Sequence, residues 1–158
     1  MSPNESFPIR QLAAESAAWD ALLKVLNEEE RALIDGEADR LPKLNAAKLE
    51  RLHATGDLAR ARLNALRDLG LSPDPAGMEA WLAQHGMPAA QADWQQLRAM
   101  EEQAQAINQR IGKLIDMRLG ATRQALNVLL QAAAGQAGLY DQAGQSVAAR
   151  PSKPLTAA

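Results

Sequence analysis

Cysteine is absent from the 158 residues, which excludes disulfides and thiolate metal sites and leaves stability to packing alone. Aromatic side chains are almost as scarce, with three tryptophans, one tyrosine and one phenylalanine. Charge of one sign is not in excess: the formal net charge is −2 and the isoelectric point is near 5.7. Without a basic field or an arginine stripe interleaved with aromatics, nucleic acid and anionic membrane surfaces are poor primary partners. Long apolar runs are missing too, since none approaches the roughly 20 residues needed to span a bilayer. The opening "MSPNESFPIRQ" carries neither the basic nor the apolar region of a secretory signal. The expectation is a soluble, cytoplasmic protein.

What the chain does have is alanine and leucine, which dominate its 47% hydrophobic content. Valine, isoleucine and threonine are few. Strands favour β-branched and aromatic residues, whereas alanine and leucine are strong helix formers, so the fold class expected is all-α. A first helix should begin after Ser6 as cap, with Pro8 in its first turn. Ile9, Leu12, Ser16, Trp19, Leu23, Leu26, Glu30 and Leu33 then follow the 3-4 spacing of a narrow antiparallel seam. "IDGEAD" interrupts it. A second helix capped by Asp39 carries Leu41, Leu44, Leu52, Leu58, Leu63, Leu66 and Leu69. It ends at "LGLSP", where Gly70 suits a left-handed position and Pro73 forbids continuation. The short connection makes these two helices an antiparallel hairpin.

"SPDPAG" reads as a loop and "MEAWLAQH" as a short helix. From about 89 to 134 there is no proline, and the 3-4 spacing continues from Trp94 through Leu97, Met100, Ala104, Ile107, Ile111 and Leu114 to Ala121, Ala125, Val128 and Ala132. The architecture expected is the hairpin packed with this long helix, a coiled-coil-like three-helix bundle. At 1.5 Å per residue the long helix would run roughly 69 Å, against roughly 46 Å and about 40 Å for the hairpin arms. Its last fifteen or so residues then have nothing to pack on. That stretch, "ATRQALNVLLQAAAG", is apolar over more than one seam, and such a surface needs cover from a foreign partner, from a second copy, or from the hairpin if the helix folds back. Leu126, Leu129, Leu130 and Ala133 are the candidate partner-binding residues, with Ala125 and Ala132 beside them. Gly120 and Gly112 are places where the helix can bend. Residues 1–134 form the expected helical domain and 135–158, rich in Gly, Ala, Gln, Ser and Pro, a flexible tail.

Motifs for chemistry are missing. His53 and His85 lie on different elements without the ligand spacing of a zinc site. No phosphate loop, nucleophile elbow or H-E-x-x-H occurs, and nothing places two of the nineteen acids together in a dry pocket. The protein is not expected to be an enzyme. Glu28 and Glu29 read as a solvated face, and Glu30, on the seam, as a candidate register device. Trp19 belongs to the seam, and Trp81 and Trp94 flank the turn into the long helix and plug the end of the hairpin.

Taken in order, "LLKVLNEEERALIDGEADRL", "KLERL", "RDLGL", "NQRIGKLI", "LNVLL" and "LYDQAG" resemble the FlgN-type flagellar export chaperones over roughly residues 10 to 145. Asn108, Gly112 and Ile115 match an Asn-x-x-Asn-Gly segment before an Ile, with Ile111 in place of the second asparagine. Leu139, Tyr140 and Gly144 match a second pattern. The resemblance implies an all-helical cytoplasmic chaperone without cofactor. Its clients would be the C-terminal helical segments of the hook-associated proteins FlgK and FlgL, and the loaded complex would be delivered to the export gate protein FlhA. Leu139 and Tyr140 are the candidate gate-docking residues on this reading; the alternative for them is to fold back over the end of the long helix. The alternative for the protein is a structural coiled coil that forms a homodimer and has no client.

Overall fold

The computed structural model describes residues 7–137, with side chains through 135, and among these residues every regular element is a helix. The elements are α1 (Ile9–Asp35), a single 3-10 turn (Ala38–Arg40), α2 (Leu41–Asp68), α3 (Pro75–His85) and α4 (Pro88–Ala137). The chain divides into two compact units, Met1–Ile115 and Asp116–Ala158.

In the first unit, α1 and α2 form the expected antiparallel hairpin around a turn with Gly36 in the left-handed region. Two ion pairs give its register. Arg62 Nε donates to Glu15 Oε1 at 2.9 Å, and Lys48 Nζ donates to Glu29 Oε1 at 3.0 Å. Each pair of partners is separated from the other by two heptads on both helices, and the same register sets Leu22 opposite Thr55 midway between them. α2 stops where the sequence indicates. Gly70 takes φ of 72°, the Leu71 N–H returns to the Leu66 carbonyl at 2.9 Å, and Leu71 packs against the cluster that holds Leu66, the Schellman arrangement.

α3 begins earlier than expected, because Asp74 caps it by accepting the Gly77 N–H at 2.8 Å and Pro75 fits the first turn. Gly77 is needed for space: a Cβ there would lie 1.8 Å from the Ser72 carbonyl oxygen. Met78, Trp81 and Leu82 of α3 then meet Leu12, Leu66, Ala90, Trp94 and Leu97 in one buried cluster, which seals this end of the hairpin as Trp81 and Trp94 were expected to do. Phe7 packs edge-on against Trp81 with ring centroids 5.4 Å apart.

α4 runs parallel to α1. Trp94 and Leu97 share the first cluster with Leu12, while Ile107 and Ile111 share a second cluster with Leu22, Leu26 and Leu33. Between the two helices Glu30 accepts two hydrogen bonds from Arg110, at 2.7 and 3.2 Å. Glu30 therefore does act across the seam.

Several expected positions are corrected. The inward face of α1 keeps the expected Leu12, Leu26 and Leu33 but is displaced by one residue at three places, with Glu15, Leu22 and Glu29 buried in place of Ser16, Leu23 and Glu30, and Ile9 is exposed. Glu29 is not part of a solvated face but is 2% exposed, held there by its cation on α2. Leu52 and Leu69 face solvent, and α2 buries Thr55 and Arg62 alongside the expected Leu44 and Leu66. Neither N-cap is the expected one. Pro8 occupies the cap of α1 and Arg40 that of α2, neither with a side-chain cap bond, since Asp39 is taken up in the 3-10 turn. Ser6 lies outside the described residues.

In the second unit, α4 continues as regular helix through Gly120 to Ala137, a few residues past the expected end. Every residue from 116 to 135 is exposed.

Candidate functional site

Two surfaces stand out, one in each unit. In the first unit the two ends of the bundle are built differently. At the α3 end all four helices contribute to one buried cluster. In the second cluster the buried residues come only from α1 and α4, and α2 adds just the partly buried Leu41. Since α2 does not close over α1 and α4 there, a groove of about 350 Å³ remains. Trp19, Leu22 and Leu26 of α1 lie along it with Ala104 of α4; Leu52 and Lys48 line it from α2, and Glu101, Gln105 and Asn108 from α4. Leu52 is 45% exposed at this lip. The indole N–H of Trp19 is buried and donates to no acceptor.

The two ion pairs lie at different levels along the hairpin, Glu29–Lys48 at the groove and Glu15–Arg62 toward the α3 end. Glu15 is 0% exposed, and its pKa is raised above the ordinary 4.5 because burial penalises the charged form more than Gln11 and Arg62 favour it. Its second oxygen, Oε2, has no hydrogen-bond partner, like Oε2 of Glu29. The 2.9 Å contact with Arg62 and the upward shift pull in opposite directions, and desolvation wins. Arg62 in turn lies over the Trp94 ring, 4.9 Å from its centroid, so one guanidinium serves both the carboxylate and the indole. These groups tie α2 to α1 and α4. Among the described residues no three His, Asp or Glu side chains are grouped to hold a metal ion. His53 is exposed, and His85 stacks on Trp81 at 3.8 Å with its Nδ1 against the Trp81 carbonyl, a packing role.

In the second unit, Leu126, Leu129 and Leu130 are 53%, 67% and 58% exposed, and Ala133 is exposed beside them. With Leu119 they occupy one helical stripe of about 100°, while Met117 and Val128 emerge on the opposite face and are exposed as well. The structure thus brings together all four residues expected to bind a partner. Leu139 and Tyr140 lie outside the described residues. The groove of the first unit is not apparent in the sequence: Trp19, Leu26 and Ala104 read as ordinary seam positions, Leu22 lies one residue off the expected seam, and only the incomplete cover by α2 exposes them. The one available signal was the surplus of leucines on α2, more than a single buried stripe requires.

No described helix is long and apolar enough to cross a membrane. No curated protein and no solved structure shows significant similarity to the chain. The model of the family described as FlgN protein matches residues 4–148. That match spans nearly the whole sequence and agrees with the all-helical architecture, so the chain belongs to the FlgN family of flagellar export chaperones.

Proposed function

We propose that this chaperone works in the cytoplasm, where it binds the C-terminal helical segments of the hook-associated proteins FlgK and FlgL, keeps them unassembled and delivers them to the export gate protein FlhA. The observation that carries the reading is the stripe of Leu126, Leu129, Leu130 and Ala133, exposed on a regular helix. Segments that pack only in an assembled axial structure need a temporary apolar partner, and an amphipathic helix laid against an apolar helical face is an established way to supply one. The alanines beside the leucines favour a shallow, reversible contact over a deep pocket. Leu139 and Tyr140, just after the stripe in sequence, are the proposed gate-docking residues. A tyrosine combines a rigid apolar ring with a hydroxyl, a combination common at binding hot spots.

Size-exclusion chromatography with a C-terminal fragment of a hook-associated protein tests the reading. Co-elution is expected at micromolar concentrations, and replacement of Leu126, Leu129 and Leu130 by glutamine should abolish it while helical content is retained. Two separate peaks for the unaltered chain would sink the proposal. Light scattering on the chain alone separates it from the self-associating coiled coil: a tight dimer that ignores the fragment supports the latter. Tyr140→Ala is expected to leave client co-elution intact and to weaken pull-down by the cytoplasmic part of FlhA. Loss of both activities together would instead favour a packing role for the ring.

A further inference from the structure

We infer that the groove between α2 and α4 is a second client-docking site, which receives the apolar face of an amphipathic helix running parallel to α1. The inference rests on the chaperone reading above and assigns the groove to that same client.

The bundle is closed differently along its length. Where α3 caps it, four helices bury one cluster. Farther along, α1 and α4 bury a second cluster without a fully buried contribution from α2. The uncovered part of the floor, between Trp19 and Leu26, extends over about two helical turns, roughly 11 Å. A whole helix is about 10–12 Å across and cannot sink into a groove of this volume, but large side chains projecting from a helix laid over it can. Spacing at i, i+3 or i+4 places such side chains on the same face. Leu52, at the α2 lip, and Leu49, farther out on the same helix, are both exposed and extend the apolar area toward the occupant.

Charge gives the polarity. Lys48 lines the groove at the level of Glu29, toward the open end, and Glu101 lines it nearer the capped end, close enough to Glu15 to act on its titration. A docked helix has a partial positive charge at its N-terminus and a partial negative charge at its C-terminus. Its N-terminal end therefore belongs beside Glu101 and its C-terminal end beside Lys48, which is the direction of α1 and α4. Each of these two side chains is already paired, Lys48 with Glu29 and Glu101 with Arg98, so they select the direction and leave the apolar floor to supply most of the affinity. Gln105 and Asn108 offer polar contacts along the α4 rim.

The test uses the full chain and the client fragment named above. Leu52→Glu places a charge on the lip, and Gln105→Trp fills the groove from its exposed rim; neither position is buried, so thermal midpoints should stay near that of the unaltered chain. Each is expected to weaken fragment binding by about tenfold in calorimetric titration. Because the chain has no cysteine of its own, Asn108→Cys provides a single thiol near the open end. It should form a disulfide with a cysteine placed at the C-terminal end of the fragment's helix and not with one at the N-terminal end. Unchanged affinity in both groove variants, while the Leu126, Leu129 and Leu130 variant loses binding, would overturn the groove assignment and leave the chaperone reading standing. A fragment that fails to bind the unaltered chain removes both. Cross-linking of the Asn108→Cys variant only to a second copy of itself would overturn the assignment to a client helix, and the reverse pattern of cross-links would overturn the direction.

Discussion

Glu15 shows how a residue's surroundings decide its contribution. Its carboxylate is fully buried, one oxygen is held by Arg62 and Gln11, and the other is unpartnered. The folded-state pKa is raised, with burial the largest cause. The sign follows: a carboxyl group with a raised folded pKa favours folding while it is protonated, and its contribution declines as pH rises through that raised value. Urea titrations over a pH series should therefore show a component of stability in the unaltered protein that falls above about pH 4.5, and Glu15→Gln should lack it; identical profiles would contradict the assignment. Arg62→Met is a different perturbation. It leaves a buried carboxylate without its cation, a change that typically costs about 3–5 kcal/mol, and the loss should be smaller at low pH, where Glu15 is protonated. Gly77 presents a steric case. Alanine there drives a Cβ into the Ser72 carbonyl, so the loop before α3 must move, at a cost of roughly 1–3 kcal/mol, detectable as a lowered thermal midpoint.

At the scale of elements, the helices and their stops were legible because they rest on local signals: Gly70 followed by Leu71 and Pro73, the connection at Gly36, and the proline-free run that becomes α4. The phase of α4 was legible as well, since Trp94, Leu97, Met100, Ala104, Ile107 and Ile111 are all buried, whereas the phases of α1 and α2 were less so. Glu15 and Ser16, or Glu29 and Glu30, differ by one residue, and an apolar stripe of about 100° tolerates either choice. What selects Glu15 and Glu29 is a cation on another helix, and a one-helix pattern contains no information about it. The open side of the bundle was hidden for the same reason, since the leucines of α2 satisfy a helical spacing whether or not α2 covers its neighbours. The exposed apolar stripe of α4, proposed above to bind a partner, was legible, because an excess of apolar residues beyond the length of the hairpin is a property of composition and length. Gly112 and Gly120 have nothing within 4 Å of a Cβ position. Alanine at either should strengthen α4 by up to about 1 kcal/mol, with no rearrangement of neighbours. Circular dichroism during thermal unfolding checks this, and a loss of helicity on Gly120→Ala would show that the position needs a glycine.

The whole molecule combines two regimes of helix stability. Within residues 9–115 the helices are held by buried clusters and cross-helix ion pairs, whereas the helix from 116 to 135 buries none of its residues. Helical segments of that length that bury none of their side chains are marginal in water, although growth from an existing helix removes the nucleation cost. Amide hydrogen exchange should therefore divide along α4. Slow exchange is expected around Trp94, Leu97, Ile107 and Ile111, whose side chains are buried, and fast exchange beyond Ile115. A segment that opens readily also binds reversibly, since part of the contact energy is spent on ordering it. Saturation with the client fragment should slow exchange at Leu126, Leu129 and Leu130 by at least about tenfold, because docking covers these side chains and holds the helix closed. Equal protection along all of α4 in the free chain would show that a second copy or another part of the chain already covers the stripe. Protection that stays low with the client bound would remove the stripe from the binding surface.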